Sequence, residues 1–247
     1  DSGYEIKEFT EVADVYVINT CSVTNMGDRK SRQIIRRAKK LNPNAVIAVT
    51  GCYAQTAPDE VLAIEGVNLV LGTKDRKNIV TLVEELNTES NINHVSDIMS
   101  NHEFEELQIK QYSNRTRAFI KIQEGCNQFC SYCIIPYARG PVRSRAKDDV
   151  VREIKELAHN GFIEIILVGI HVASYGVDLG ETTLESLIMD VDKIDGVERI
   201  RLSSIEPMTL NQEFIDSIKD SKKLCHHFHI SLQSGCDETL KRMNRKY

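Results

Sequence analysis

The sequence predicts an α/β fold: a small doubly wound, flavodoxin-like N-terminal unit followed by a larger unit in which strands and helices again alternate. Three observations predict it. Short apolar runs recur with helical periods between them, which is the pattern of a mainly parallel sheet. Two of the early runs end in Cys or Gly-Cys, at the strand edge where open α/β sheets bind ligands. Between 87 and 115 the pattern dissolves into Asn, Ser and Glu, as a linker between domains does. The expected boundaries are a first domain over 1–87, a linker over 88–115 and a second domain over 116–247.

Taken in order, 14–19 reads as a buried strand and 27–41 as a helix with Ile34, Ile35, Ala38 and Leu41 on its apolar side. A second strand over 45–50 is ended by Gly51, and a helix starts near Pro58. A strand over 68–71 and a helix over 75–86 complete the first unit. Inside the linker, 95–99 and 104–107 have enough apolar residues to pack locally. The second unit opens with a strand over 117–123 and continues with a helix over 147–160, a strand over 163–168 and a helix over 184–194. It goes on through a strand over 197–203, a helix over 211–219 and a strand over 228–232.

At 247 residues the chain is long enough for a full core. No apolar stretch approaches a membrane span, and Asp1 to Glu5 does not read as a signal peptide. Seven cysteines without paired extracellular spacing suit a reducing compartment, so a cytoplasmic location is expected. The net charge of −5 argues against attraction of nucleic acid to the whole surface and leaves it to local patches.

The chemistry concentrates at CNQFCSYC, 126–133, where Cys126, Cys130 and Cys133 share one loop after the 117–123 strand. Thiolates are the ligands that iron-sulfur clusters select, and a 4Fe-4S cluster has four irons, so three local thiols leave one iron open to a small molecule. A zinc site would need a fourth ligand nearby, and His102 and His159 lie on other expected elements. Cys21 and Cys52 close two expected parallel strands and could share a metal, or could be two core cysteines. His226, His227 and His229 beside Cys225 fit a strand edge better than a metal site.

Two basic segments stand apart from the acidic balance. Arg139, Arg143 and Arg145 follow the cysteine loop, and a guanidinium fork suits carboxylate or phosphate. On the helix after Cys21 no acidic residue falls between Arg29 and Lys40, and Arg32, Arg36 and Lys40 share one face, so phosphate contact is expected there.

NTCSVTN (19–25), VTGCYAQ (49–55), QEGCNQFCSYCIIPYARG (123–140) and HISLQSG (229–235), in this order, resemble the methylthiotransferase family of radical S-adenosylmethionine enzymes. The likeness runs along essentially the whole chain and is closest to the type that converts N6-threonylcarbamoyladenosine at position 37 of tRNA to its 2-methylthio derivative. The resemblance implies a second unit that is an incomplete partial β/α barrel. It also implies a 4Fe-4S cluster on Cys126, Cys130 and Cys133 whose open iron holds S-adenosylmethionine and releases a 5′-deoxyadenosyl radical. An auxiliary 4Fe-4S cluster would take Cys21 and Cys52 with a further cysteine that this sequence does not show, so the chain reads as a piece of a longer protein.

By the same resemblance Tyr132 would back the adenine of the cofactor; Gly169 with His171 would meet its amino group, or Gly169 would serve only as a strand-end turn. Ser203, Glu206 and Gln233 would reach its ribose or amino acid part from later strand ends. Arg32, Arg36, Lys40, Arg143 and Arg145 would contact tRNA. An electron donor such as flavodoxin or ferredoxin and a sulfur donor are implied as partners. The alternatives are a methylthiotransferase acting on isopentenyladenosine in tRNA or on a ribosomal protein, and a non-catalytic iron-sulfur protein.

Overall fold

The computed structural model describes residues 3–22, 24–106 and 117–247; Val23 and the stretch 107–116, which includes part of the expected linker, lie outside the described residues. The chain divides into two compact units, one of Asp1–Asn101 with Cys133–Gly140, the other of His102–Tyr132 with Pro141–Tyr247.

In the first unit, strands β1 (Val15–Thr20), β2 (Val46–Gly51), β3 (Leu69–Leu71) and β4 (Ile92–His94) form a parallel sheet in that order. Alternation along each strand sends side chains to both faces. Tyr16, Ile18, Ile47, Val49 and Val70 meet helix α1 (Asn25–Leu41), α2 (Cys52–Thr56) and α3 (Pro58–Leu62) on one face. Val15, Val46, Ala48 and Leu69 meet α4 (Ile79–Glu84) on the other. Both faces are therefore covered, as a doubly wound unit requires. Helix α1 starts at Thr24, whose hydroxyl caps the Gly27 N–H at 3.1 Å, and it ends at Asn42 ahead of Pro43. Its buried stripe is Ser31, Ile35 and Ala38; Ile34, expected there, is exposed, because one position along a helix turns a side chain about 100°.

Two further departures concern the expected linker and helices. Residues 92–94 are a strand paired to β3, and Ile98 is buried, so the first unit runs on past the expected boundary at 87. Asn68 fixes this edge: its buried side-chain amide donates to the carbonyls of Thr88 and Ser90 while its oxygen accepts the Ile47 N–H. The expected 75–86 helix breaks into a short turn at Arg76–Asn78 and then α4. Asp75, with a left-handed φ of 62°, stands outside the helical segment, which therefore begins at Arg76 rather than at 75.

In the second unit, β5 (Arg117–Glu124), β7 (Glu164–Gly169) and β8 (Arg199–Leu202) are parallel, with the short β6 (Arg143–Ser144) antiparallel on the free edge of β5. Helix α5 (Ile135–Arg139) belongs to the first unit, whereas α6 (Lys147–His159), α7 (Leu184–Asp192), α8 (Gln212–Ile218) and α9 (Asp237–Arg242) belong to the second. Ile154, Leu157, Leu187, Ile188 and Phe214 from these helices pack on Ile120, Ile122, Ile165, Leu167 and Ile200. The result is a half-barrel sheet with its helices on one side.

The expected strand over 228–232 is reduced to one bridge, Ile205 with Ile230. Its partner segment leaves β8 at Ser203 and reaches Pro207 four residues later, and proline carries no N–H to extend the ladder. Among the described residues no helix is long and apolar enough to cross a membrane.

Candidate metal centre

The cysteine loop leaves the carboxyl end of β5 through Gly125, whose φ of 78° suits glycine. Gln123, fully buried, holds this exit: its amide nitrogen donates to the carbonyls of Glu124 and Gly125 at 2.8 Å. Its oxygen accepts the His171 N–H at 2.7 Å, so one side chain joins the start of the cysteine loop to the end of β7. Gly169 is required opposite it, since a Cβ there would stand 2.9 Å from Gln123 Oε1 and 3.1 Å from the Gln123 carbonyl. Gly169 thus serves close packing between β5 and β7.

Within the loop Phe129 adopts φ 49°, a left-handed conformation that costs an aromatic residue of order 1–3 kcal/mol and is held only where the surroundings impose it. The C-terminal segment does so. Asn244 donates to the Phe129 carbonyl at 2.8 Å, and Ser131 bonds the carbonyls of Met243 and Arg242. Arg245 Nη1 donates to Cys130 Sγ at 3.2 Å and its Nη2 meets Glu206 Oε1 at 2.7 Å. Glu206 Oε2 stands 2.9 Å from His171 Nε2. A chain of side chains, Cys130–Arg245–Glu206–His171, therefore crosses this sheet edge.

The electrostatics agree with the geometry. The contact with His171, opposed by burial and aided by Arg245, holds the Glu206 carboxyl below the usual range. Burial opposes the charge on Arg245, but hydrogen bonds to Cys130 and Tyr247 and the Glu206 carboxylate more than offset it. Tyr247 lies under the Arg245 guanidinium, 5.0 Å from ring centre to Cζ, and its hydroxyl joins Gln233 N and Ser231 O.

Of the residues expected at the cofactor, Gly169, His171, Ser203 and Glu206 come to the carboxyl ends of β7 and β8. Ser203 Oγ is buried and finds no hydrogen-bond partner among the described residues, the condition of a group awaiting a ligand or water. Tyr132 is exposed, and Gln233 is exposed with its backbone N–H paired to Tyr247. Arg245 and Tyr247, far along the chain from the cysteine loop, carry no local signal in the sequence for this edge, and Gln123 stands in it only as part of the cysteine motif.

In the first unit Cys21 and Cys52 directly follow Thr20 and Gly51, which are register partners in β1 and β2. Cys21 is exposed and Cys52 buried, with Arg139 Nε donating to Cys52 Sγ at 3.2 Å. Gly51 has φ 101°, and a Cβ there would fall 2.3 Å from the Thr20 carbonyl.

Among the described residues no three His, Cys, Asp or Glu side chains stand close enough together to hold a metal ion. The donor set nevertheless suits iron-sulfur ligation: soft thiols without carboxylates among them, with N–H···S donors on Cys130 and Cys52 of the kind that surround cluster ligands.

Three of the residues expected to contact RNA have partners within their own units. Arg143 and Arg145 are only 2% and 5% exposed. Arg143 donates to the Pro141 carbonyl, and Arg145 pairs with Glu106 and Glu153, so both serve the interior of the second unit. Arg32 turns to Tyr53 and Glu60, at 2.9 and 3.1 Å. Arg36 and Lys40 remain exposed.

Residues 120–247 match the radical SAM superfamily, and residues 1–72 match an uncharacterized protein family, UPF0004. The chain belongs to the radical SAM superfamily, whose cofactors are S-adenosylmethionine and a 4Fe-4S cluster. More particularly, it is 49% identical to the threonylcarbamoyladenosine tRNA methylthiotransferase MtaB of Bacillus subtilis, an alignment that takes in 100% of this chain and 55% of that protein. MtaB of Aquifex aeolicus is 43% identical over 99% of this chain and 60% of its own length. The tRNA-2-methylthio-N(6)-dimethylallyladenosine synthase of Thermoanaerobacter pseudethanolicus is 39% identical over 99% of this chain and 53% of its own. The chain thus spans a little over half the length of these curated relatives. Among solved structures, the radical S-adenosylmethionine methyltransferase TsrM from Kitasatospora setae shares the fold, with TM-score 0.65 and 15% identity over 97% of this chain and 53% of that one.

Proposed function

We propose that this chain is the catalytic part of a cytoplasmic radical S-adenosylmethionine methylthiotransferase that adds a methylthio group to C2 of N6-threonylcarbamoyladenosine at position 37 of tRNA. The observation that carries the reading is the three-thiol loop leaving the carboxyl end of β5, with Ser203, Glu206 and His171 at the same edge of that sheet. Identities of 49% and 43% to MtaB of Bacillus subtilis and of Aquifex aeolicus, against 39% to the dimethylallyladenosine synthase of Thermoanaerobacter pseudethanolicus, favour the first substrate.

Cys126, Cys130 and Cys133 would hold the cluster that, when bound, supplies the electron for cleavage of S-adenosylmethionine. The chain's own residues do the positioning. Gln123 fixes the loop's exit and Arg245 directs an N–H at Cys130 Sγ. Ser203 offers an unspent hydroxyl, and Glu206, kept ionised by its neighbours, presents a carboxylate to an amino or hydroxyl group. Cys21 and Cys52, from adjacent strand ends, are the proposed ligands of an auxiliary cluster, with Arg139 directing an N–H at Cys52. Sulfur insertion needs a sulfur donor, and reduction needs an electron donor.

The test is anaerobic iron and sulfide content with low-temperature EPR, with and without S-adenosylmethionine. It is run on the chain and on a Cys126→Ala, Cys130→Ala, Cys133→Ala variant. The reading expects a cluster signal that S-adenosylmethionine perturbs and that the variant loses. Iron content unchanged by the three substitutions would refute it. Nucleoside mass spectrometry of tRNA bearing either modified adenosine then distinguishes the substrates.

A further inference from the structure

The basic residues of α1 divide into two groups with different jobs. Three are occupied by their own unit. Arg32 joins Tyr53 and Glu60, Arg37 lies 5.5 Å over the Phe9 ring, and Lys39 donates to the Pro43 carbonyl at 2.7 Å. The others, Arg29, Lys30, Arg36 and Lys40, are exposed and form no ion pair among the described residues.

Arg29, Gln33, Arg36 and Lys40 fall at i, i+4, i+7 and i+11, which at 3.6 residues per turn keeps them within about 60° of arc and spreads them over about 16 Å. They make one straight stripe of three cations and an amide, with Lys30 and Arg37 along its flank. This is not the face expected from the sequence, since Arg32 has left it for Glu60. The stripe also has a direction. The first turn of α1 is pressed against the Cys21 backbone, where a Cβ on Gly27 would stand 2.7 Å from the Cys21 carbonyl. From there the cations lead away along the helix.

In a chain of net charge −5, Arg29, Arg36 and Lys40 line up without an ion-pair partner among the described residues, and like charges on neighbouring turns, as at Arg36 and Lys40, repel one another. A polyanion with regularly spaced charge would offset this repulsion, and a single carboxylate ligand would not need the length. We propose that the Arg29–Arg36–Lys40 stripe is a docking surface for the phosphate backbone of the RNA substrate, which runs along α1 from the Cys21 end. This rests on the reading that the substrate is RNA. It adds where the backbone lies.

The test is binding of unmodified tRNA to the chain by fluorescence anisotropy across a salt series. Two variants lower the net charge by the same three units. One is Arg29→Gln, Arg36→Gln, Lys40→Gln; the other is Lys155→Gln, Lys193→Gln, Lys222→Gln, exposed cations of the second unit. Glutamine keeps helix propensity, and circular dichroism checks that both fold. The stripe variant is expected to lose at least tenfold in affinity and about two units of the slope of log K against log salt, at roughly 0.7–0.9 per phosphate contact. The control variant is expected to keep the wild-type slope. Equal losses in both variants would mean diffuse charge and overturn the proposal, as would wild-type binding by the stripe variant. Absence of tRNA binding by the unaltered chain would overturn it too, while leaving the cluster reading to its own EPR measurement.

Discussion

Replacing Glu206 with glutamine removes one charge from the middle of the Cys130–Arg245–Glu206–His171 chain and leaves the shape almost unchanged. Glu206 and Arg245 side chains are 14% and 9% exposed, so the pair is close to buried, and Arg245 Nε already lacks a partner among the described residues. Breaking such a pair from one side strands a desolvated guanidinium and costs about 3 kcal/mol, against about 0–1 kcal/mol for an exposed pair. At 1.36 kcal/mol per factor of ten, that is more than a hundredfold in the local opening equilibrium. Global unfolding of a two-unit chain is not a single transition, so the readout is native-state hydrogen exchange. The informative amides are Ile205, bonded to the His229 carbonyl, and Arg245, bonded to the Leu240 carbonyl. Both should lose protection together, although they lie forty residues apart. The sign with pH follows: a carboxyl held low in the fold contributes stability above its unfolded pKa and loses it as pH falls through the lowered value, so the variant should lack this acid sensitivity. A change of less than about fivefold, the range of a surface pair, would refute the argument that this chain of residues holds the cysteine loop.

Two other substitutions test the sheets that carry the sites. Gly51→Ala places a Cβ 2.3 Å from the Thr20 carbonyl at φ 101°, and should cost at least about 2 kcal/mol. It should lower the melting temperature of the first unit by about 8–16 °C. Unchanged melting would show that the close approach of Gly51 to the Thr20 carbonyl does not hold the strand ends from which Cys21 and Cys52 follow. Glu164 accepts Arg199 Nε on one oxygen and Arg201 Nε on the other, at 3.0 and 2.9 Å. Burial raises its pKa, but these two bonds win and hold the carboxyl low. Its contribution is present above the ordinary glutamate value of about 4.3 and lost below it. Thermal melts between pH 7 and 3 should therefore show a steeper acid loss for the wild type than for Glu164→Gln, and parallel curves would exclude the role.

What the sequence determined by itself was local. The thiols at 126, 130 and 133 share a loop because eight residues of chain cannot separate them far. Period-two and period-3.6 patterns located most strands and helices, and Cys21 and Cys52 were readable as neighbours because sequential parallel strands pair side by side. Periodicity reports which residues share a face, not what stands opposite. Hence Arg32 was placed among solvent-facing cations until Glu60, 28 positions away, drew it aside. Arg143 and Arg145 carry the composition of a phosphate site, and only the packing of Glu106 and Glu153 around Arg145 and the burial of both decided otherwise. The contact of Arg245 with Cys130 spans 115 positions and has no local signal, because it exists only once α9 has turned the chain back onto the cysteine loop. The sequence supplied the thiols. The tertiary structure decided which charges would surround them, because desolvation and pairing are properties of packed neighbours rather than of residues.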